Sequence, residues 1–169
     1  IDTMVGQNLG ANRADRAGRA VKFAATTGAG VMFLVAVIAV VFTEPIVGAF
    51  LGDVPDAPAT ISYAVEYVRI RSVEFAFIGV SQVILGAFRG AGNTKTAMVI
   101  SILTLWVGRV ASVAYLVFVA GWGETGVWVG MALGTVLGAV IGVAWFSRDT
   151  WTERYIEDPD PGADPVGDD

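Results

Sequence analysis

The sequence predicts an all-α, polytopic membrane helical bundle, with four transmembrane helices preceded by the end of a fifth. Three observations carry this. Of 169 residues, 54% are hydrophobic and only 16% charged, against about 25% charged in soluble domains, and the mean hydropathy is +0.63. Four apolar stretches approach or exceed the ~20 helical residues that cross a ~30 Å hydrocarbon core. Basic residues also fall in alternate connecting segments, as a repeatedly crossing chain requires. Lipid offers the backbone no hydrogen-bond partner, so each crossing must satisfy its own amides, and a helix does so. The stretches lack the alternation of barrel strands.

The elements follow in order. The chain opens on Val5-Gly6-Gln7-Asn8-Leu9-Gly10-Ala11-Asn12, read as the close of a partial helix. It starts at Ile1 with that motif under way and shows no signal-peptide pattern, so it reads as part of a longer protein. The first full helix is expected at about 23–43, uncharged throughout. Pro45, Pro55 and Pro58 then mark an outer loop over 43–60. The second helix is expected at about 61–89. Its most apolar part carries Glu74, and its earlier residues repeat at helical intervals. The third, about 96–120, carries Arg109, and the fourth runs over about 124–147. Residues 1–148 form the membrane unit. The acidic, proline-containing tail 149–169 reads as disordered.

Charge sets the orientation. Segment 10–22 has Arg13, Arg16, Arg19 and Lys22 against Asp15, and segment 89–95 has Arg89 and Lys95. Segment 43–60 has three acids and no base, and segment 121–124 has only Glu124. Lys and Arg favour the cytoplasmic side, so 10–22, 89–95 and the C-terminus are expected inside a multi-pass plasma-membrane protein. Arg69 and Arg71 are discordant, with Glu66 and Glu74 near enough in sequence to offset them.

Composition also excludes. There is no Cys and no His, which removes Cys/His zinc sites, disulfides, Cys nucleophiles and Ser–His triads. No metal site is expected. The net charge of −5 argues against nucleic acid as a partner. That charge resides in the tail, which holds eight of the sixteen acids and one base.

The string from Gly86 to Thr96 superficially matches a phosphate loop, but Thr94 and Arg89 occupy positions that must be glycine. It reads instead as a tight cytoplasmic turn built on Arg89, Gly90, Gly92 and Lys95. Gly126, Gly130, Gly134, Gly138 and Gly142 recur every four residues and form one ridge on a helix. Small residues so spaced let membrane helices approach closely, so this seam is expected to face another helix. Glu74 and Arg109 are the ionisable residues deepest in apolar stretches. Each lies roughly 21–22 Å above the inner turn at ~1.5 Å per residue. Three readings stand: a Glu74–Arg109 pair, separate snorkelling to the outer interface, or a proton- or cation-coupling role for Glu74. Gln82 either faces a cavity or bonds a neighbouring helix. Glu74, Gln82 and Arg109 are the pathway candidates.

The opening string resembles the close of the second helix of each lobe in multidrug and toxic compound extrusion (MATE) transporters. The Arg89-Gly90-Ala91-Gly92-Asn93-Thr94-Lys95 string resembles that family's turn after the tenth helix, and Trp106-Val107-Gly108-Arg109 its eleventh helix. The likeness covers about residues 1–147. It implies the C-terminal lobe of a two-lobe, twelve-helix secondary transporter. It further implies antiport of organic cations or amphipathic compounds against Na+ or H+, without another cofactor. The implied partners are an N-terminal lobe of the same transporter, the lipid bilayer and amphipathic or cationic small molecules. Some relatives carry an acid near the position of Arg89, which is basic here. A lipid-linked saccharide flippase of the same superfamily and a structural four-helix membrane subunit are the alternatives.

Overall fold

A computed structural model of the chain describes residues 1–51 and 57–148. Among these residues there is no strand, and the order is α1 (Asp2–Gly10), α2 (Ala14–Val41), α3 (Thr43–Leu51), α4 (Ala57–Ser72), α5 (Phe75–Gly90), α6 (Thr94–Val119) and α7 (Gly123–Phe146). α2, α6 and α7 are long and apolar enough to cross a membrane. α4 and α5, bent by 48° at their junction, make a fourth crossing if taken as one broken span. The expectation for the tail, 149–169, lies outside the described residues.

The helix ends differ from the sequence expectation for physical reasons. α2 starts at Ala14, so Arg16, Arg19 and Lys22 are already helical. Apolar content ends at the lipid boundary, whereas Ala, Arg and Lys sustain a helix beyond it. The stretch read as a loop over 43–60 holds α3 and the start of α4. Pro45 and Pro58 stand in their first turns, where a missing amide costs nothing. The helix expected as continuous over 61–89 is broken between Ser72 and Phe75. The Ser72 hydroxyl donates to the Val68 carbonyl at 2.6 Å, and the Glu74 amide turns back to Arg71 at 3.2 Å. Hydroxyl back-bonding of this kind bends helices. Thr43 does the same at the α2–α3 junction, donating to the carbonyls of Ala39 at 2.5 Å and Val40 at 2.9 Å.

Two turns of like geometry sit at one end of the bundle. After α1, the amide of Asn12 bonds Leu9 and that of Arg13 bonds Asn8; after α5, Gly92 bonds Arg89 and Asn93 bonds Phe88. Asn12 (φ 54°) and Gly92 (φ 73°) take the left-handed conformation these closures need. The core lies beside the turns. Val5 and Leu9 of α1, Val21 of α2, Ile84 and Phe88 of α5, Ile100 of α6 and Phe146 of α7 are buried together, with Phe88 and Phe146 edge to face. Away from this end, α2 and α6 expose Phe33, Leu34, Trp106 and Phe118, surfaces suited to lipid.

α6 and α7 touch backbone to backbone. A Cβ added at Gly130 would lie 2.7 Å from the Val113 Cα, and one at Gly134 would lie 2.6 Å from the Arg109 Cα. Gly126 faces Leu116, Gly138 faces Thr104, and Gly142 reaches across to Ile84 of α5. Gly108 answers from α6, where a Cβ would lie 3.1 Å from the Gly134 Cα. The partners of the glycines, 116, 113, 109 and 104, widen in spacing along α6. The widest step falls in Leu103–Val110, a π-helical stretch with i→i+5 closure. α2 and α5 make a second close contact through Gly28 and Gly79, where a Cβ at Gly79 would meet the Gly28 carbonyl at 2.9 Å.

Gly134→Leu is therefore expected to destabilise the whole protein that carries this chain. Overpacking of about 1–3 kcal/mol should lower its midpoint of thermal aggregation in detergent by several degrees. Gly30 meets nothing within 4 Å, so Gly30→Leu should leave that midpoint in place. Equal midpoints for both variants would contradict the seam.

Candidate functional site

The structure does not bring Glu74 and Arg109 together. Glu74 pairs instead with Arg71 across the α4–α5 break, Oε1 to Nη2 at 2.6 Å, with the Glu74 side chain 1% exposed. Three residues separate them, so the chain itself brings them together and no interhelical alignment is needed. The Arg71 guanidinium also lies 6.0 Å from the centre of the Tyr67 ring, a cation–π distance. Tyr67 stands edge-on to Trp128 of α7 at 5.8 Å. Glu74 Oε2 and Arg71 Nε and Nη1 are buried without a hydrogen-bond partner. Two further carboxylates, those of Glu44 and Glu66, are engaged too. Glu44 pairs with Arg69 at 3.1 Å, and Glu66 accepts from the Thr125 hydroxyl at 2.9 Å. Arg69 and Arg71, the two arginines discordant with the charge pattern, thus each hold a carboxylate.

Arg109 lies in the π-helical stretch of α6 and reaches a cavity of about 300 Å³ between α5, α6 and α7. Gln82 lines the same cavity, with Ser81, Ser101, Thr104 and Thr135 as its other polar residues and Ile78, Leu85 and Leu105 among its apolar ones. Arg109 Nη2 donates to Thr135 Oγ1 at a long 3.5 Å. Arg109 Nε and Ser81 Oγ are buried and unbonded. The Gln82 amide is at the cavity, exposed, and not bonded to a neighbouring helix. The glycine contacts explain this geometry. Gly134 takes α7 against the backbone of α6 and Gly138 packs on the Thr104 side chain, and Arg109, Thr104, Thr135 and Gly138 line the cavity together.

The Arg89 turn has a packing role in this arrangement. Arg89 Nε donates to Asp2 Oδ2 of α1 at 3.1 Å, both half exposed. Gly90 lets α5 meet the Asp2 backbone directly, since a Cβ there would collide with it. Lys95 is exposed just beyond the turn. Sequence reasoning set Glu74 near Arg71 as an offsetting charge without naming Arg71 as a site residue, and it missed Ser81 and Thr135. Arg71 is visible in sequence as the basic residue one turn before Glu74. Ser81 and Thr135 are lone hydroxyls in apolar stretches and give no distinguishing signal.

The buried pair yields a stability prediction. Glu74→Gln leaves the Arg71 guanidinium buried without its counter-charge, a loss of about 3–5 kcal/mol. The thermal midpoint of the purified whole protein should fall accordingly. Joint replacement, Arg71→Leu with Glu74→Leu, should recover much of that loss, and a double variant no better than Glu74→Gln would contradict the pairing.

Comparison with known proteins places the chain in a family. The MatE family model matches residues 1–116. A probable multidrug resistance protein NorM of Pseudomonas aeruginosa is 34% identical over 137 residues, 80% of this chain and 28% of that protein. A probable multidrug resistance protein NorM of Synechococcus is 30% identical over 125 residues, 73% of this chain and 27% of that protein. The multidrug resistance protein NorM of Burkholderia vietnamiensis is 32% identical over 119 residues, 70% of this chain and 26% of that protein. This chain thus spans little more than a quarter of the length of the relatives it matches. No solved structure matches it. With a family model matched over more than half its length and relatives above 30% identity, the chain belongs to the MatE family.

Proposed function

We propose that this chain forms part of the C-terminal lobe of a secondary multidrug antiporter in the plasma membrane. The observation that carries the reading is its match to relatives named as multidrug resistance proteins. The transporter exports organic cations and other amphipathic compounds in exchange for Na+ or H+. An N-terminal lobe completes it, and the two lobes rock about a shared cavity to alternate access. The glycine-rich turns and the C-terminus face the cytoplasm, in keeping with the basic residues of 10–22 and 89–95.

The chemistry of the chain suits this role. A ligand site of this type is mainly apolar with a few placed polar groups, and the Arg109–Gln82 cavity has that make-up. The α4–α5 break gives the bundle a 48° bend at which two helices join. Such junctions absorb the dihedral changes of hinge motion.

Cells expressing the whole reading frame that encodes this chain should accumulate less of an amphipathic fluorescent dye than control cells. Abolishing either the Na+ or the proton gradient should restore accumulation and name the coupling ion. Equal accumulation in expressing and control cells with both gradients intact would overturn the proposal.

A further inference from the structure

The polar groups of the α5–α6–α7 cavity have an uneven supply of protons. The hydroxyls of Ser101, Thr104 and Thr135 each donate back to their own helix, to Ala97, Ile100 and Met131 at 2.9, 2.8 and 3.3 Å. Their protons are spent. The uncommitted donors are the Ser81 hydroxyl, the Gln82 amide and most of the Arg109 guanidinium. Arginine carries five N–H donors and no acceptor, and a single long bond, to Thr135, is made. Arg109 Nε and Ser81 Oγ are both buried and unbonded.

Charge is uneven in the same sense. Arg109 is the one charged residue lining the cavity among the described residues. The carboxylates of Glu44, Glu66 and Glu74 are taken by Arg69, Thr125 and Arg71. A partly buried guanidinium without a counter-ion is unfavourable in low dielectric, and an arriving anion relieves that cost. Guanidinium is also the group whose fork fits carboxylate or phosphate with two parallel bonds.

We infer that this cavity is a subsite for an anionic group, carboxylate or phosphate, carried on an apolar body. Arg109 holds the anion, with Ser81 and Gln82 donating beside it, and Ile78, Leu85 and Leu105 contact the body. The volume of about 300 Å³ admits one ring system with its anionic substituent. The inference rests on the transport reading above and narrows its substrate class. Zwitterionic or anionic amphiphiles are preferred there to otherwise identical cations.

A matched pair of dyes tests this. Rhodamine B carries a free carboxylate, and its ethyl ester is the same cation without one. Binding is measured by fluorescence anisotropy on the purified whole protein in phosphatidylcholine nanodiscs. Rhodamine B should bind more tightly than the ester. Arg109→Gln should weaken rhodamine B by about tenfold or more, the loss of a charge-assisted contact, and leave the ester within about twofold. Arg109→Lys should restore part of the difference. Ser81→Ala, which removes one donor and keeps the helix, should weaken rhodamine B alone by a smaller factor. Nanodiscs containing phosphatidylglycerol separate the two sources of the anion. If they weaken rhodamine B on the unaltered protein and not on Arg109→Gln, a lipid phosphate also occupies the subsite. If they do not, the anion belongs to the exported compound. Equal affinity for the two dyes, or equal losses for both in Arg109→Gln, would overturn the inference while leaving the transport reading intact. Binding of neither dye would overturn both.

Discussion

The contact between the backbones of α6 and α7 governs the arrangement of the rest. In hydrocarbon there is little hydrophobic drive to bring two helices together, and close packing has to supply the attraction. Gly126, Gly130, Gly134 and Gly138 remove side chains from one ridge of α7, and Gly108 does so on α6. The helices then meet at van der Waals distance along that ridge. The cavity that Arg109, Gln82 and Thr135 line lies beside that ridge. A leucine zipper at the same positions would set the helices further apart.

A second constraint is the break at Ser72–Phe75. A span bent by 48° has unmet backbone groups where its hydrogen-bond ladder is interrupted, and lipid cannot supply partners. The Ser72 hydroxyl and the shortened Glu74–Arg71 closure take up part of this demand. The Arg71–Glu74 ion pair lies at the same place, braced by Tyr67 against Trp128 of α7. The charges deep in the bundle are thus divided between two jobs. The Arg71–Glu74 pair neutralises itself at the bend, and Arg109 faces the cavity.

Much of the bundle was legible in sequence. Long uncharged runs predict spans because their transfer to lipid is favourable whatever their neighbours. A strict four-residue glycine spacing is a one-dimensional pattern of a helix face, so the contacts of Gly126 to Gly142 with neighbouring helices follow from it. The 72–75 break was not legible. The equal depths of Glu74 and Arg109 assumed an unbroken helix through Glu74. An ion pair three residues apart competes better, because no loop closure or helix alignment is needed to form it. The π-helical stretch that carries Arg109 is also invisible to periodicity, since i→i+5 closure adds a residue to one turn without changing composition. Prolines misled for the same kind of reason. Pro45 and Pro58 read as loop residues, yet each sits in a first helical turn, where no amide is required.

The most direct test of the account uses the absence of cysteine from the chain. Its central claim is that the glycine contact leaves a cavity whose field is set by the Arg109 charge. Ser81→Cys, in the whole protein with any other cysteines removed, puts one thiol in that cavity at almost no change in volume. Its modification rate is compared for an anionic sulfonate and a cationic trimethylammonium methanethiosulfonate of similar size. The account predicts faster reaction with the anionic reagent, relative to each reagent's rate with a free thiol, and loss of that preference when Arg109→Gln is added. A preference for the cationic reagent, or an anionic preference that survives Arg109→Gln, would contradict it.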